Sequence, residues 1–342
     1  VKQTKQIERI EPAAGIPGGE VAIDCGSQSP NGNPPLTVWF QDKLAHVVAA
    51  TPRRALVLVP DLNAGTEIEV SIDRGDPTGK RARFVVARKL AGGIHPVTSP
   101  AFDPSDGSLF VTRSGTRGED VPVSLFRIGS DGGVEEFSSD ITNPTSIAFD
   151  HSGRMFVSSR FEGTVFRITP VNEVVVFASD LGIATGLAFN RAGEMFVGDR
   201  SGVIYRVNEI GEAKPWAQME PSVSAYHLAF GPDDRLYVTG PTVSSFDAIT
   251  RFNEDGEPSE FYRGLGRPQG LAFDDQGNLY LAASVRGRRG IVRISPDGTQ
   301  AEVVVAGMNL VGLAFSAKGD MVVATNDAVY SLPLGIFGAL LV

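Results

Sequence analysis

Six positions just ahead of a recurring Ala-Phe pair carry Thr98, Thr145, Thr185, Tyr226, Gln269 and Val311. They are followed by Ser99, Ser146, Gly186, His227, Gly270 and Gly312. Hydroxyls, an amide and one imidazole at matched positions can orient a small polar ligand by hydrogen bonding. Charge comes from the adjoining loops: Arg160 and Arg200 fall at the same place in consecutive repeats, near Asp199 and Asp247. Planar guanidiniums suit bidentate contact with a carboxylate or phosphate. The expected ligand-binding set is therefore Thr98, Thr145, Arg160, Thr185, Asp199, Arg200, Tyr226, His227, Asp247 and Gln269, and the expected ligand is a small anion or an acidic peptide end. The competing reading pairs the loop arginines with Glu119, Asp120, Glu162, Asp199 and Asp247 in rim salt bridges. Of the four histidines, His227 alone is placed where a ligand can meet it. It can act as a general base, or be a hydrogen-bonded structural side chain.

Other chemistry finds less support. The run Thr242-Val243-Ser244-Ser245-Phe246-Asp247 offers hydroxyls but no Gly-x-Ser-x-Gly elbow. Thr116-Arg117-Gly118-Glu119 and Arg286-Gly287-Arg288-Arg289-Gly290 lack the Lys-Ser/Thr pair of a phosphate loop. A hard cation wants several oxygen ligands with carboxylates among them, and the ring supplies none. No catalytic residue, metal or cofactor is expected.

The elements that position these residues recur. The signature alanines Ala101, Ala148, Ala188, Ala229, Ala272 and Ala314 are spaced by 47, 40, 41, 43 and 42 residues. A fixed period in this range, with four short strand signals per unit and no helical pattern, predicts an all-β chain whose residues 91–342 form a six-bladed β-propeller. In that topology the positions ahead of each inner strand line the axial mouth. Five of six third strands carry an arginine at one register, namely Arg127, Arg167, Arg206, Arg251 and Arg293, read as serving the blade; the sixth has Ser331. Closure of the ring is expected from residues 336–342, with residues 85–90 as the other possibility, because a closed ring leaves no exposed strand edge. This apolar tail is about half the length of a membrane-spanning helix.

Residues 1–90 lack the period. Short alternating strands there predict a small β-sandwich. The lone cysteine, Cys25, excludes an internal disulfide and reads as a buried, inert thiol. With 42% hydrophobic residues the chain can bury two ordinary soluble cores. The first ninety residues carry 12 basic and 10 acidic side chains, the remainder 19 and 30. That acidic balance, with no basic stripe interleaved with aromatics, argues against nucleic acid, and no membrane partner is expected. No charged-then-apolar leader is visible, which points to the cytoplasm.

The first ninety residues resemble an IPT/TIG domain, an immunoglobulin-like module. The likeness is carried over residues 5–88 by Ile10, Pro12, Gly15, Gly18-Gly19, Val21, Ile23, Val38, Phe40 and Val59-Pro60. Such modules are mostly spacers or protein-contact domains. The repeats resemble NHL-repeat proteins and the senescence-marker-protein/gluconolactonase family, through Gly186-Leu187-Ala188-Phe189, Gly270-Leu271-Ala272-Phe273, Asn278-Leu279-Tyr280 and Pro296-Asp297-Gly298. Lactonases of that family hold a divalent cation with a Glu, an Asn and an Asp at the mouth. Here those places are Thr98-Ser99, Thr185-Gly186 and Gln269-Gly270. The expected function is accordingly a non-enzymatic ligand-binding or protein-interaction propeller, the alternative being a lactonase-like hydrolase with altered ligands.

Overall fold

The computed structural model describes residues 7–26, 36–51, 53–72, 81–138, 140–244 and 246–339. Every regular element among them is a strand. Toward the N-terminus, Ile7–Glu11, Glu20–Cys25, Arg54–Leu58 and His46–Ala50 make one antiparallel sheet, in that spatial order. A second runs through Ala14–Gly15, Ala82–Val86, Thr66–Ile72, Val38–Phe40 and Lys43–Leu44. The two share one core: Val21, Ile23 and Val57 from the first meet Val38, Val70 and Phe84 from the second. Alternation puts these side chains inward and their neighbours outward, and Cys25 is buried among them.

Beyond residue 88 the described residues form four-stranded antiparallel runs, an arrangement consistent with a propeller. One run is Pro144–Phe149, Met155–Ser159, Thr164–Ile168 and Val174–Ala178; the next is Ala184–Phe189, Met195–Asp199, Val203–Val207 and Ala213–Gln218. One rung recurs in register. Ala101 faces Phe110, which faces Arg127; Ala148, Phe156 and Arg167 repeat it, as do Ala188, Phe196 and Arg206. Ala229, Tyr237 and Arg251 follow, then Ala272, Tyr280 and Arg293. Several of these arginines do serve their own sheet: Arg127 bonds Asp106 at 2.6 Å and Glu135 at 3.3 Å, while Arg206 pairs with Glu194 and Arg293 with Glu302.

The aromatic of the rung also ties each sheet to the next. Phe110 meets Phe149, Phe156 meets Phe189, Phe196 meets Phe230, Tyr237 meets Phe273 and Tyr280 meets Phe315, with ring centroids 4.8–5.9 Å apart. Such tilted and edge-on pairs contribute about 0.5–1.5 kcal/mol each beyond the area they bury. Repetition of the Ala-Phe signature is thus the repetition of an intersheet contact.

The closing strand is not the C-terminal tail. Arg88–Gly92 pairs with Ala328–Pro333, giving the order Arg88–Gly92, Ala328–Pro333, Asp320–Thr325, Leu310–Phe315. The sixth rung then reads Ala314, Val322, Ser331, Arg88, so the arginine missing from the third strand stands on the fourth. The tail turns away after Pro333 through Gly335, whose φ is +66°. Ile336 N–H donates to Gly319 O at 3.0 Å and Ala339 N–H to Phe273 O at 2.9 Å, which commits the tail's backbone to the strand 1–2 turns. Residues 340–342 of the expected closing segment lie outside the described residues.

The two parts are joined through backbone. Gly15 pairs in parallel with Val86 on one side and Ala306 on the other, and Ile16 N–H donates to Ala306 O at 2.9 Å. A Cβ on Gly19 would lie 2.5 Å from Ala306 O, so this approach requires glycine. Arg288 adds a hydrogen bond to Glu11 O at 3.0 Å.

Candidate functional site

Strand starts expose backbone acceptors and donors, and three of the six ring side chains, Thr98, Thr185 and Tyr226, bond to them. Thr98 Oγ1 donates to Thr145 O at 2.7 Å, crossing from one sheet to the next. Thr185 Oγ1 donates to Gly198 O at 3.0 Å and accepts from Tyr226 N–H at 3.1 Å. Tyr226 is buried with its hydroxyl bonded to Glu220 O; burial first, then the Asp199 and Glu220 charges, push its pKa up to about 12. Thr239 Oγ1 donates to Gln269 O at 2.7 Å. These polar groups are bonded to main chain, within a sheet or from one sheet to the next. Thr145 Oγ1 is buried with no partner among the described residues.

At the same tier the inner strands nearly touch. A Cβ on Gly312 would run into Ser99 Cα and N, and one on Gly270 would sit 2.7 Å from Gly312 Cα. Gly270 N–H donates to Val311 O at 3.1 Å, and Leu313 N–H to Ser99 Oγ at 3.3 Å. Glycine is needed here for proximity, since both obstacles are main chain. Gly312→Ala is expected to lower stability by about 1–3 kcal/mol, the usual cost of overpacking. Denaturant midpoints check this; an unchanged midpoint would mean that the strands separate freely.

The expected carboxylates are turn caps. Asp199 accepts Ile183 N–H at 2.8 Å and Ser201 N–H at 3.1 Å, as well as the Ser201 hydroxyl. Asp247 Oδ1 accepts Thr242 N–H at 3.2 Å and Oγ1 at 2.7 Å, while its Oδ2 is buried with no partner among the described residues. Glu119 and Asp120 are likewise taken by Thr116 and Thr142. No three His, Cys, Asp or Glu side chains among the described residues are grouped to hold a metal ion.

Arg160 and Arg200 lie close enough for their charges to interact. Arg160 Nη2 donates to Gly115 O at 2.9 Å and Arg200 Nε to Ser222 O at 3.2 Å. Burial, and second the charge of Arg200, lower the Arg160 pKa. Its Nε is buried without a partner, and neither arginine is ion-paired among the described residues. Arg160 is thus a partly buried cation with one unmet donor, beside the charge of the exposed Arg200. The Gly115 and Ser222 carbonyls that hold them were not foreseeable, because backbone acceptors carry no residue signature.

His227 belongs elsewhere. It faces a cavity of ≈ 570 Å³ along the axis, which reaches from Ser99 to the strand 1–2 turns at His151 and Ala339. Of the expected set Thr98 lines it as well, whereas Thr145, Arg160, Thr185, Arg200, Tyr226 and Gln269 do not. The sequence signal for this cavity was the signature alanine itself: Ala148, Ala188, Ala229, Ala272 and Ala314 wall it, and a side chain of one carbon leaves the axis open.

No protein-family model matches the chain, and no curated protein matches it. Solved structures do resemble it. A Bacteroides thetaiotaomicron protein of unknown function shares 15% identity at a TM-score of 0.58, over 96% of this chain and 98% of its own. An auxiliary nutrient binding protein from Bacteroides ovatus shares 15% identity at 0.56, over 99% of each chain. A gluconolactonase from Xanthomonas campestris shares 16% identity at 0.56, over 72% of this chain and 89% of its own. At such identities the likeness is one of fold, and it places the chain among all-β structures that include gluconolactonase-like propellers.

Proposed function

We propose that the chain is a six-bladed β-propeller, residues 91–342, carried by an immunoglobulin-like domain of the IPT/TIG type, residues 1–90, and that it is a non-enzymatic binding protein for a small anion or an acidic peptide end. The Arg88–Gly92 strand straddles that boundary, so the division is one of fold rather than of backbone. The observation that carries the binding reading is the Arg160–Arg200 pair: a partly buried and an exposed guanidinium whose charges act on each other, each bonded to a backbone carbonyl and neither to a carboxylate among the described residues. Like charges held together are unfavourable until an anion bridges them. The full-length likeness to a nutrient binding protein supports the same reading. The lactonase alternative has only the likeness of the propeller part behind it, and the three family ligand positions hold Thr98-Ser99, Thr185-Gly186 and Gln269-Gly270.

Titration calorimetry with phosphate, citrate and an acetylated Asp-rich peptide tests it. Binding is expected to weaken as salt rises. Arg200→Ala should weaken it about tenfold, the loss of one charge-assisted contact, whereas Arg117→Ala should change it little. Equal effects from the two variants, or no heat from any of these anions, would overturn the assignment.

A further inference from the structure

We propose that the axial cavity is a second ligand site, for an uncharged molecule with an apolar body and one hydrogen-bonding head that is read by His227 and Ser146. Its ≈ 570 Å³ falls in the range of about 300–1,000 Å³ typical of small-molecule sites, which pair apolar walls with a few placed polar groups. The walls are the alanines of the repeat together with Leu and Phe side chains. At one end stands Ser99, which Gly270 and Gly312 of neighbouring inner strands approach closely. His227 and Ser146 stand at that end, and neither side chain has a hydrogen-bond partner among the described residues, since the tier's bonds run through Ser158, Thr185 and Ser99 instead.

Charge does not suit this cavity. At its open end Asp150 is committed to Ser152 N–H, Arg154 N–H and Arg154 Nε, and His151 Nε2 lies 2.9 Å from Asn190 O. No arginine or lysine lines it. Burial pushes His227 down to about 4, so near neutrality the imidazole offers one N–H donor and one lone pair. A hydroxyl head can donate to that lone pair and accept from the Ser146 hydroxyl, whereas a carboxylate would be desolvated without a counter-ion. This inference is independent of the arginine pair, which does not line the cavity.

1-Naphthol and its anionic analogue 1-naphthoate are the probes. Calorimetry on the full chain should show saturable 1-naphthol binding, at least tenfold tighter than 1-naphthoate. Ala229→Leu, which fills the cavity, should abolish it; His227→Leu should weaken it at least fivefold; Arg200→Ala should leave it unchanged. Imidazole NMR of the unaltered protein keeps the test independent of variant folding: saturating 1-naphthol should move the His227 signals and leave those of His46 and His95 in place. Equal affinity for the two probes, no saturable binding of 1-naphthol, or signal changes confined to His46 or His95 would overturn the proposal.

Discussion

A chain beginning at residue 93 is expected to be insoluble, whereas one beginning at residue 86 is expected to fold with reduced stability. The difference is the Arg88–Gly92 strand. Without it, Ala328–Pro333 presents an unpaired edge next to the first repeat, and open edges of this kind template aggregation. Both truncations also remove Ala14 and Ile16 from a core they share with Val305, Leu310 and Leu332. Burying one isoleucine contributes about 1.5–3 kcal/mol. They uncover the outer strand Ala301–Ala306 as well, whose Ala306 accepts the Ile16 N–H. The shorter chain loses closure and cap together; the longer one loses only the cap. Soluble yield and thermal melting of the two chains beside the intact protein decide the matter. Cooperative melting of the residue-93 chain near the intact value would mean that the tail can close the ring after all.

Closure was the part of the fold that sequence could not order, and the reason is specific. Periodicity reports which residues repeat, and the Ala, aromatic and Arg positions fell on one rung in the strand pairings. It does not report which distant strand completes an open sheet, because pairing partners far apart in sequence share no pattern. One clue was present: Ser331 breaks the arginine series, and Arg88 supplies the missing side chain from the strand opposite. The site divides in a similar way. Arg160 and Arg200 were legible because aligned repeats put equivalent side chains on adjacent loops. The hydroxyls of Thr98, Thr185 and Tyr226 are bonded to backbone carbonyls, because hydroxyls at strand starts serve backbone acceptors as readily as ligands and only geometry shows which.

Acid should destabilise the protein through His227 well before the carboxylates titrate. The residue is only 6% exposed, and burial lowers its pKa from 6.5 to about 4. Above pH 6.5 the imidazole is neutral in both folded and unfolded chains, and it contributes no pH dependence. As pH falls below 6.5 the unfolded chain takes up a proton that the folded one refuses. Stability therefore decreases down to about pH 4, where the folded state accepts the proton too and the slope vanishes. At about 1.4 kcal/mol per pH unit the full loss is roughly 3 kcal/mol. Asp106 and Glu194 are held below their ordinary carboxylate values by their hydrogen bonds and their arginine partners. Their stabilisation is lost at lower pH, which leaves the interval between about pH 6.5 and 5 to the histidine. Urea midpoints between pH 7 and 4.5 should fall for the intact protein and stay nearly level for His227→Gln in the upper part of that range, since the amide cannot protonate. Parallel curves for the two proteins would show that His227 is charged in the folded state, and that the axial cavity holds a counter-ion or water beside it.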